Sequence, residues 1–427
     1  MSVTYQTGPE FAAEMDARDS LAHFRDRFFF PKIEAGEKTG EECIYLCGHS
    51  LGLEPKSVET YLQQALRDWA NFGVEGHFHA KDAWMPYHRL LTEQTAALVG
   101  AKPFEVVVMN SLTVNLHLMM TSFYRPTAKR HKIMIERAAF PSDQYAVQSQ
   151  IRFHGFDPAT SLLELQPRAG ESCMRDEDIL ELIEREGDSI ALIMLGGVNY
   201  VTGQRFDMPA ITKAGHGKGC VVGFDLAHAA GNVPLMLHDW NPDFAVWCSY
   251  KYLNGGPGCV GGCFVHERHA RAVDLPRFCG WWGHDEKTRF LMGPDFRAME
   301  GAEGWQLSNP PILALAALRA SMEIFFEAGM ENLRAKSISL TGYMEFLLGQ
   351  APSAKFTITT PREPMRRGAQ LSIRFAHEGR KLCNRLAAMG VIGDWREPDT
   401  FRVAAVPLYN SYKDVYRFAQ ILSAAFH

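Results

Sequence analysis

Residues 56–72 (KSVETYLQQALRDWANF) set Val58, Leu62, Ala65, Leu66 and Trp69 at helical spacing, which predicts an amphipathic helix. A second helix, Leu90 to Val99, is expected to stop at Gly100. From about residue 104 to 265 the pattern changes to short unbroken apolar runs between helical stretches: VVVM at 106–109, KIMIE at 132–136, SIALIML at 189–195, GCVVGFDL at 219–226, FAVWCS at 244–249 and GGCFVH at 261–266. Strands that are apolar on both faces and alternate with helices predict a mainly parallel sheet covered on both sides. After Pro310-Pro311 a dense apolar run, Ile312 to Phe326, predicts a buried or interface helix, and another follows near 331–349. The strand candidates KFTITT and AQLSIRFA, a helix at 378–389 and FRVAAVP then make a smaller α+β unit. With no repeats and no low-complexity linker, the boundary near 307 reads as a packed junction, not a tether.

The chain has 427 residues, about three times a typical domain length, so one large core with a smaller companion is expected. Its 46% hydrophobic and 22% charged residues are ordinary for a globular protein and argue against long disordered stretches. A net charge of -5 gives no basic field for nucleic acid, and the short cluster Lys129-Arg130-His131-Lys132 reads as a solvated strand entry. Nine scattered cysteines without a paired C-x-x-C argue for reduced thiols and against a zinc site, so no metal is expected. The first twenty residues lack a signal-like apolar run, and nowhere do 18 apolar residues follow one another. A cytoplasmic protein without a membrane partner is the expectation.

In an open α/β sheet ligands bind beyond the carboxyl ends of the strands, so the residues that follow each strand candidate carry the chemistry. After VVVM come Asn110-Ser111-Leu112-Thr113 and a helix; its free N–H groups and nearby hydroxyls suit an anion, although Ser111 or Thr113 could be only a cap. After KIMIE come Phe140, Pro141, Ser142 and Asp143, an aromatic plane with two oxygen-bearing side chains. After GCVVGF comes Asp225-Leu226-Ala227-His228. A carboxylate at the end of a buried strand needs a cation; a protonated pyridine nitrogen would serve, and a turn-capping role is the plain alternative. After FAVWCS comes Tyr250-Lys251-Tyr252, followed by the turn-rich Asn254-Gly255-Gly256-Pro257-Gly258. Desolvation there favours a neutral amine, the nucleophile that forms an imine with an aldehyde. A lone lysine is usually a surface charge; the functional reading rests on the four features following successive strands.

The segments NSLTVNLHL, AFPSDQYA, VNYVTGQ, VGFDLAHAAGN, WCSYKYLN, WWGH and SNPPIL, in that order, resemble the kynureninase family over essentially the whole chain. That family lies in the fold type I, class V aminotransferase superfamily of pyridoxal phosphate (PLP) enzymes. The resemblance implies an aspartate aminotransferase-like α/β large domain at 72–306 with a mainly parallel sheet. It also implies a smaller α+β C-terminal domain at 307–427, and an N-terminal segment, 1–71, packed on the latter. Lys251 would carry PLP, Asp225 would face the ring nitrogen, Phe140 would lie against the ring, and Leu112 and Thr113 would sit at the phosphate end. Pro141, Ser142 and Asp143 fall in the cofactor-binding FPSD segment, and His228, Tyr250, Trp281 and Asn309 match further cofactor contacts. Gly196 departs, lying where some relatives carry a hydroxyl residue.

The family resemblance further implies hydrolysis of the Cβ–Cγ bond of L-kynurenine or its 3-hydroxy form to anthranilate or 3-hydroxyanthranilate plus L-alanine. Arg402 matches the arginine for the α-carboxylate, and His77 and Asn309 match contacts to the aryl end. His77 could equally be a loop histidine bonded to backbone, and Trp281 and Trp282 could be core aromatics. Lys251 is the expected α-proton base, Asp225 the group behind the electron sink, and Tyr250 a proton-transfer group with a depressed pKa. A homodimer is implied by the fold type. The rivals are a cysteine desulfurase or selenocysteine lyase, which needs a mobile late cysteine whereas Cys383 sits in a helical pattern, and a PLP-binding protein without catalysis.

Overall fold

The computed structural model describes residues 4–34, 38–272, 274–350 and 355–426. Its strands, in chain order, are β1 (Ile44–Tyr45), β2 (Val106–Val108), β3 (Lys132–Glu136), β4 (Leu162–Leu165), β5 (Ile190–Gly196), β6 (Val221–Asp225), β7 (Phe244–Cys248), β8 (Gly261–Val265), β9 (Phe356–Ile358), β10 (Gln370–Phe375), β11 (Val391–Ile392), β12 (Asp394–Arg396) and β13 (Thr400–Ala404). Seven of them form the large sheet in the order β2-β8-β7-β6-β5-β3-β4. The neighbours from β7 through β4 are parallel, and β8 alone runs against them, pairing antiparallel with both β7 and β2.

Alternate side chains of this sheet enter different cores, which is why its strands read as unbroken apolar runs. Met134, Ile193 and Trp247 join the cluster on one face, while Ile133, Ile135, Leu192 and Val246 join the cluster on the other. Helix Val58–Phe72 packs against helix Ile312–Ala328, and the latter sends Leu315, Leu318 and Met322 into the first of these cores. Helix Thr92–Val99 ends as expected at Gly100, whose φ of 62° is left-handed and whose missing Cβ leaves room for the Leu235 carbonyl.

The second sheet has the order β12-β13-β10-β9, all antiparallel, over a separate core that includes Leu371, Ile373, Val403 and Phe418. Helix Pro9–Arg18 lies against the C-terminal helix Tyr412–Ala425. β1 pairs in parallel with β11, and Cys47 bridges to Ala404, so the chain at residues 44–50 runs alongside the small sheet and delivers His49 and Ser50 to β12 and β13. Arg130 is not a solvated charge: its guanidinium donates to the carbonyls of Gly187, Ile190 and Lys218 and ties together the chain entering β3, β5 and β6.

Candidate active site

The carboxyl ends of β3, β5, β6 and β7 open into a shared cavity. Its wall includes Leu112, Thr113, Phe140, Ser142, Asp143, Gly196, Asp225, His228, Tyr250 and Lys251, together with Glu136, Val198, Tyr200 and Ala227. Ten expected positions from five separate chain segments therefore meet at one place, because parallel strands bring their following loops to the same edge of the sheet.

Two helices begin at the cavity, Leu112–Phe123 and Pro141–Phe153. Pro141 suits the first position of its helix, where an N–H would have no partner in any case. Ser111 precedes the first helix without capping it through its side chain. Thr113 Oγ1 and Ser142 Oγ lie 2.8 Å apart, each hydroxyl using the other as partner. Two helix N-termini and two hydroxyls converging at one end of a cavity are well suited to a phosphate.

At the base lies a group of buried carboxyls. Asp225 closes β6, and its Oδ1 accepts from the Ala227 N–H at 2.7 Å. Burial pushes Asp225 up, and the Ala227 N–H and the Lys251 ammonium pull it back. Burial first, and the Asp225 charge second, hold Asp143 well above the usual carboxylate range, and its Oδ1 is buried without a partner among the described residues. Glu136, the last residue of β3, accepts from the Gly196 N–H at 3.2 Å, and burial pushes its carboxyl up to about 7. A Cβ at position 196 would stand 2.9 Å from Glu136 Oε1, so glycine there makes room for this carboxyl.

Lys251 Nζ reaches into the same space, 3.0 Å from His228 Nε2 and 5.8 Å from the centre of the Phe140 ring. Burial, followed by the nearby Lys251 and Arg402 charges, holds His228 well below its ordinary value, so its neutral Nε2 accepts from Lys251. Among the described residues His228 Nδ1 has no hydrogen-bond partner. Phe140 presents a half-exposed ring, edge-on to Tyr200 at 5.3 Å. Tyr250 departs from expectation: burial first, and the Cys248 thiol beside it, push its phenol well above 10, where a depressed value was expected from a cation that would have to overcome this burial.

Arg402, on β13, is 1% exposed and does not itself line the cavity. It reaches the wall through Tyr200: Nη1 donates to the Tyr200 carbonyl at 2.7 Å, and the guanidinium carbon lies 5.8 Å from that ring. Its Nη2 donates to Asp394 and, at 3.2 Å, to Ser50 Oγ. Three expected residues lie away from the cavity within the single chain. His77 Nδ1 bonds the Val74 carbonyl at 2.9 Å, with Trp84 beside the ring. Trp281 is partly exposed and donates to the Arg289 carbonyl at 3.3 Å, and Asn309 is exposed. Trp282, in contrast, is a core residue at 1% exposure.

Sequence reasoning passed over Glu136, Tyr200, His49, Ser50 and Asp394. Glu136 is the final strand residue, one step before the loops that were inspected, and Tyr200 stood unremarked inside VNYVTGQ. His49, Ser50 and Asp394 come together only through the pairing of β1 with β11, which no local pattern announces.

The residues present fit PLP. Among the described residues the buried Asp225 carboxyl makes no ion pair, a lysine shares the cavity, an aromatic face lies beside it, and the hydroxyls at the phosphate-like end bond only to each other. Solved structures of the same architecture include a cysteine desulfurase from Escherichia coli, at 18% identity and a TM-score of 0.76 over 95% of this chain and 98% of that one. A cystine C-S lyase in complex with cysteine persulfide is similar at 16% identity and a TM-score of 0.76, over 89% of this chain and 97% of that one. Fold and site together define a fold type I, PLP-dependent enzyme.

Within that class the sequence comparisons are specific. The Kynureninase C-terminal domain family matches residues 333–422. The kynureninase of Koribacter versatilis is 69% identical over 98% of each chain, and that of Myxococcus xanthus is 61% identical over 98% of this chain and 97% of its own. The chain belongs to the kynureninase family.

Proposed function

We propose that this chain hydrolyses the Cβ–Cγ bond of L-kynurenine, its 3-hydroxy form, or both, taking up one water and releasing anthranilate or 3-hydroxyanthranilate with L-alanine. The observation that carries the site reading is the meeting of Lys251 and buried Asp225 in one cavity, with Arg402 behind its Tyr200 wall.

PLP, when bound, supplies a sink for the electron pair released at the substrate's α-carbon and later at its β-carbon. Thr113, Ser142 and the two helix N-termini would hold its phosphate, and Phe140 would flank its ring. Asp225 would pair with the ring nitrogen and keep it protonated; this also relieves the cost of a buried carboxylate. Lys251 would anchor the cofactor and its Nζ would remove the α-proton; neutral His228, 3.0 Å away, receives that amine's N–H and fixes its direction. Tyr250 stays a neutral phenol, so its part is to donate a proton late in the reaction.

The rival desulfurase chemistry lacks its nucleophile. Cys383 lies buried in helix Gly379–Ala388, and burial pushes its thiol up to about 12. A carrier without catalysis has no use for a carboxylate clamp. We further infer a homodimer in which a second subunit brings His77, Trp281 and Asn309 toward the cavity. Exposed Trp69, Val74 and Phe78 around His77, and exposed Phe290, Leu291 and Met292 after Trp281, support this arrangement. Among the described residues no helix is long and apolar enough to cross a membrane. A cytoplasmic place, in the degradation of tryptophan or the making of the nicotinamide ring, belongs to the same proposal.

Arg402 and His77 should divide the substrate between them. Arg402→Lys keeps the charge but loses the planar fork, so kcat/KM for kynurenine and 3-hydroxykynurenine should fall by nearly equal factors. His77→Phe should instead change the ratio between the two substrates, since only a group near the ring senses the added hydroxyl. A shifted ratio with Arg402→Lys and an unshifted one with His77→Phe would reverse this orientation.

A further inference from the structure

We infer that Asp394 is an internal stand-in for the substrate's α-carboxylate, holding the Arg402 fork until a carboxylate ligand displaces it toward Arg396 and His49. The inference rests on the reading of Arg402 as the substrate clamp and adds a specificity residue to it. Asp394 and Arg402 are direct partners across the β12–β13 pair. Arg402 Nη2 donates to Asp394 Oδ2 and to Ser50 Oγ, Nη1 donates to the Tyr200 carbonyl, and Nε is buried with no partner among the described residues. A guanidinium binds a carboxylate best through two parallel N–H bonds. Asp394 takes one of Arg402's donors and leaves another unused, so it occupies the fork without completing it.

A second pair of groups meets the same Asp394 oxygen. Oδ2 also accepts from Arg396 Nη2 at 2.9 Å, and His49 Nε2 lies 3.9 Å away. His49 is fully buried, and among the described residues neither ring nitrogen has a hydrogen-bond partner. Such a group is costly unless some state of the protein satisfies it. Burial first, then the charges of Arg402, Lys251 and Arg396, keep His49 neutral, so it offers one N–H and not a second cation. The groups facing Asp394 are Arg402 from β13, Arg396 from its own strand, and Ser50 and His49 from the loop after β1, with Cys47 close by. Burial pushes the Cys47 thiol up to about 11, so no thiolate competes for the arginines. Asp394 thus has two sets of donors, one shared with the ligand and one private. A ligand without an α-carboxylate cannot release the fork, and selection against such molecules follows.

The test uses PLP-loaded enzyme and two competitive inhibitors: L-alanine, which carries the α-carboxylate, and the decarboxylated substrate analogue, which keeps the amine and aryl ketone. Asp394→Asn removes the internal competitor, so L-alanine should bind about fivefold or more tightly, with the KM for kynurenine falling alongside, a coupling at the low end of the ordinary range. The decarboxylated analogue should change less than about twofold, because it never meets the fork. His49→Leu removes the private donor and should weaken L-alanine, and His49→Gln, which keeps an N–H at similar reach, should restore it. Weaker L-alanine binding in Asp394→Asn, or equal shifts for both inhibitors, would overturn the inference and leave Asp394 a mere support for Arg402. If Asp394→Asn does not fold, the His49 pair decides alone: no weakening with leucine, or no rescue with glutamine, would overturn it. Arg402→Ala separates the two levels, since unchanged L-alanine binding there would overturn the clamp reading itself.

Discussion

Lys251→Ala is expected to bind PLP loosely and to lose nearly all turnover. One nitrogen both anchors the cofactor and takes the α-proton, so kcat should fall by roughly 10⁴-fold, the upper end of what a positioned base contributes. The loss should come without unfolding: Lys251 follows β7 on the cavity wall, and the core around Trp247 does not depend on its amine. In the unaltered protein, borohydride reduction followed by peptide mapping should place the pyridoxyl group on Lys251. Finding it on another lysine would sink the assignment.

Asp225→Asn should be the next most damaging change. If Asp225 only capped its turn through the Ala227 N–H, the cost would be roughly 1 kcal/mol of stability with the chemistry intact. As the partner of a protonated ring nitrogen it does more. A hydrogen bond to a charged group contributes about 1.5–3 kcal/mol, so kcat should fall by about 10- to 100-fold, with weaker PLP binding. Normal turnover of the Asn variant at saturating PLP would remove the electron-sink role. The crowding of Asp143 and Glu136 around Asp225 makes this test sharper, because an amide there also relieves like-charge repulsion and should not destabilise the fold.

Much of this molecule was legible before its structure. Each apolar run from 106 to 266 became a strand of the large sheet, because burial on both faces leaves an unbroken apolar signature. β4 escaped because its residues LLEL are only partly buried at the edge of the sheet and carry a glutamate. The reversed direction of β8 escaped too, since a strand buried on both faces reads the same either way.

At the site, the residues that follow strands assembled as expected, for topology alone brings those loops to one edge. Arg402 reached the cavity only through Tyr200; its tie to Asp394 crosses the local β12–β13 pair, whereas its tie to Ser50 depends on β1 pairing with β11 across more than three hundred residues. His77, Trp281 and Asn309 could be read from family likeness, yet their place in a site lies beyond what one chain's geometry supplies. For His77 the bond to the Val74 carbonyl is what a plain loop histidine would make.

The most direct test of the account offers the purified, PLP-loaded protein L-kynurenine and, in a separate reaction with a thiol reductant present, L-cysteine, and quantifies the products by mass spectrometry. The account predicts anthranilate and L-alanine in equal amounts from kynurenine, an oxygen from labelled water in the anthranilate carboxyl group, and no sulfide from cysteine. Sulfide and alanine from cysteine, with kynurenine left intact, would contradict it.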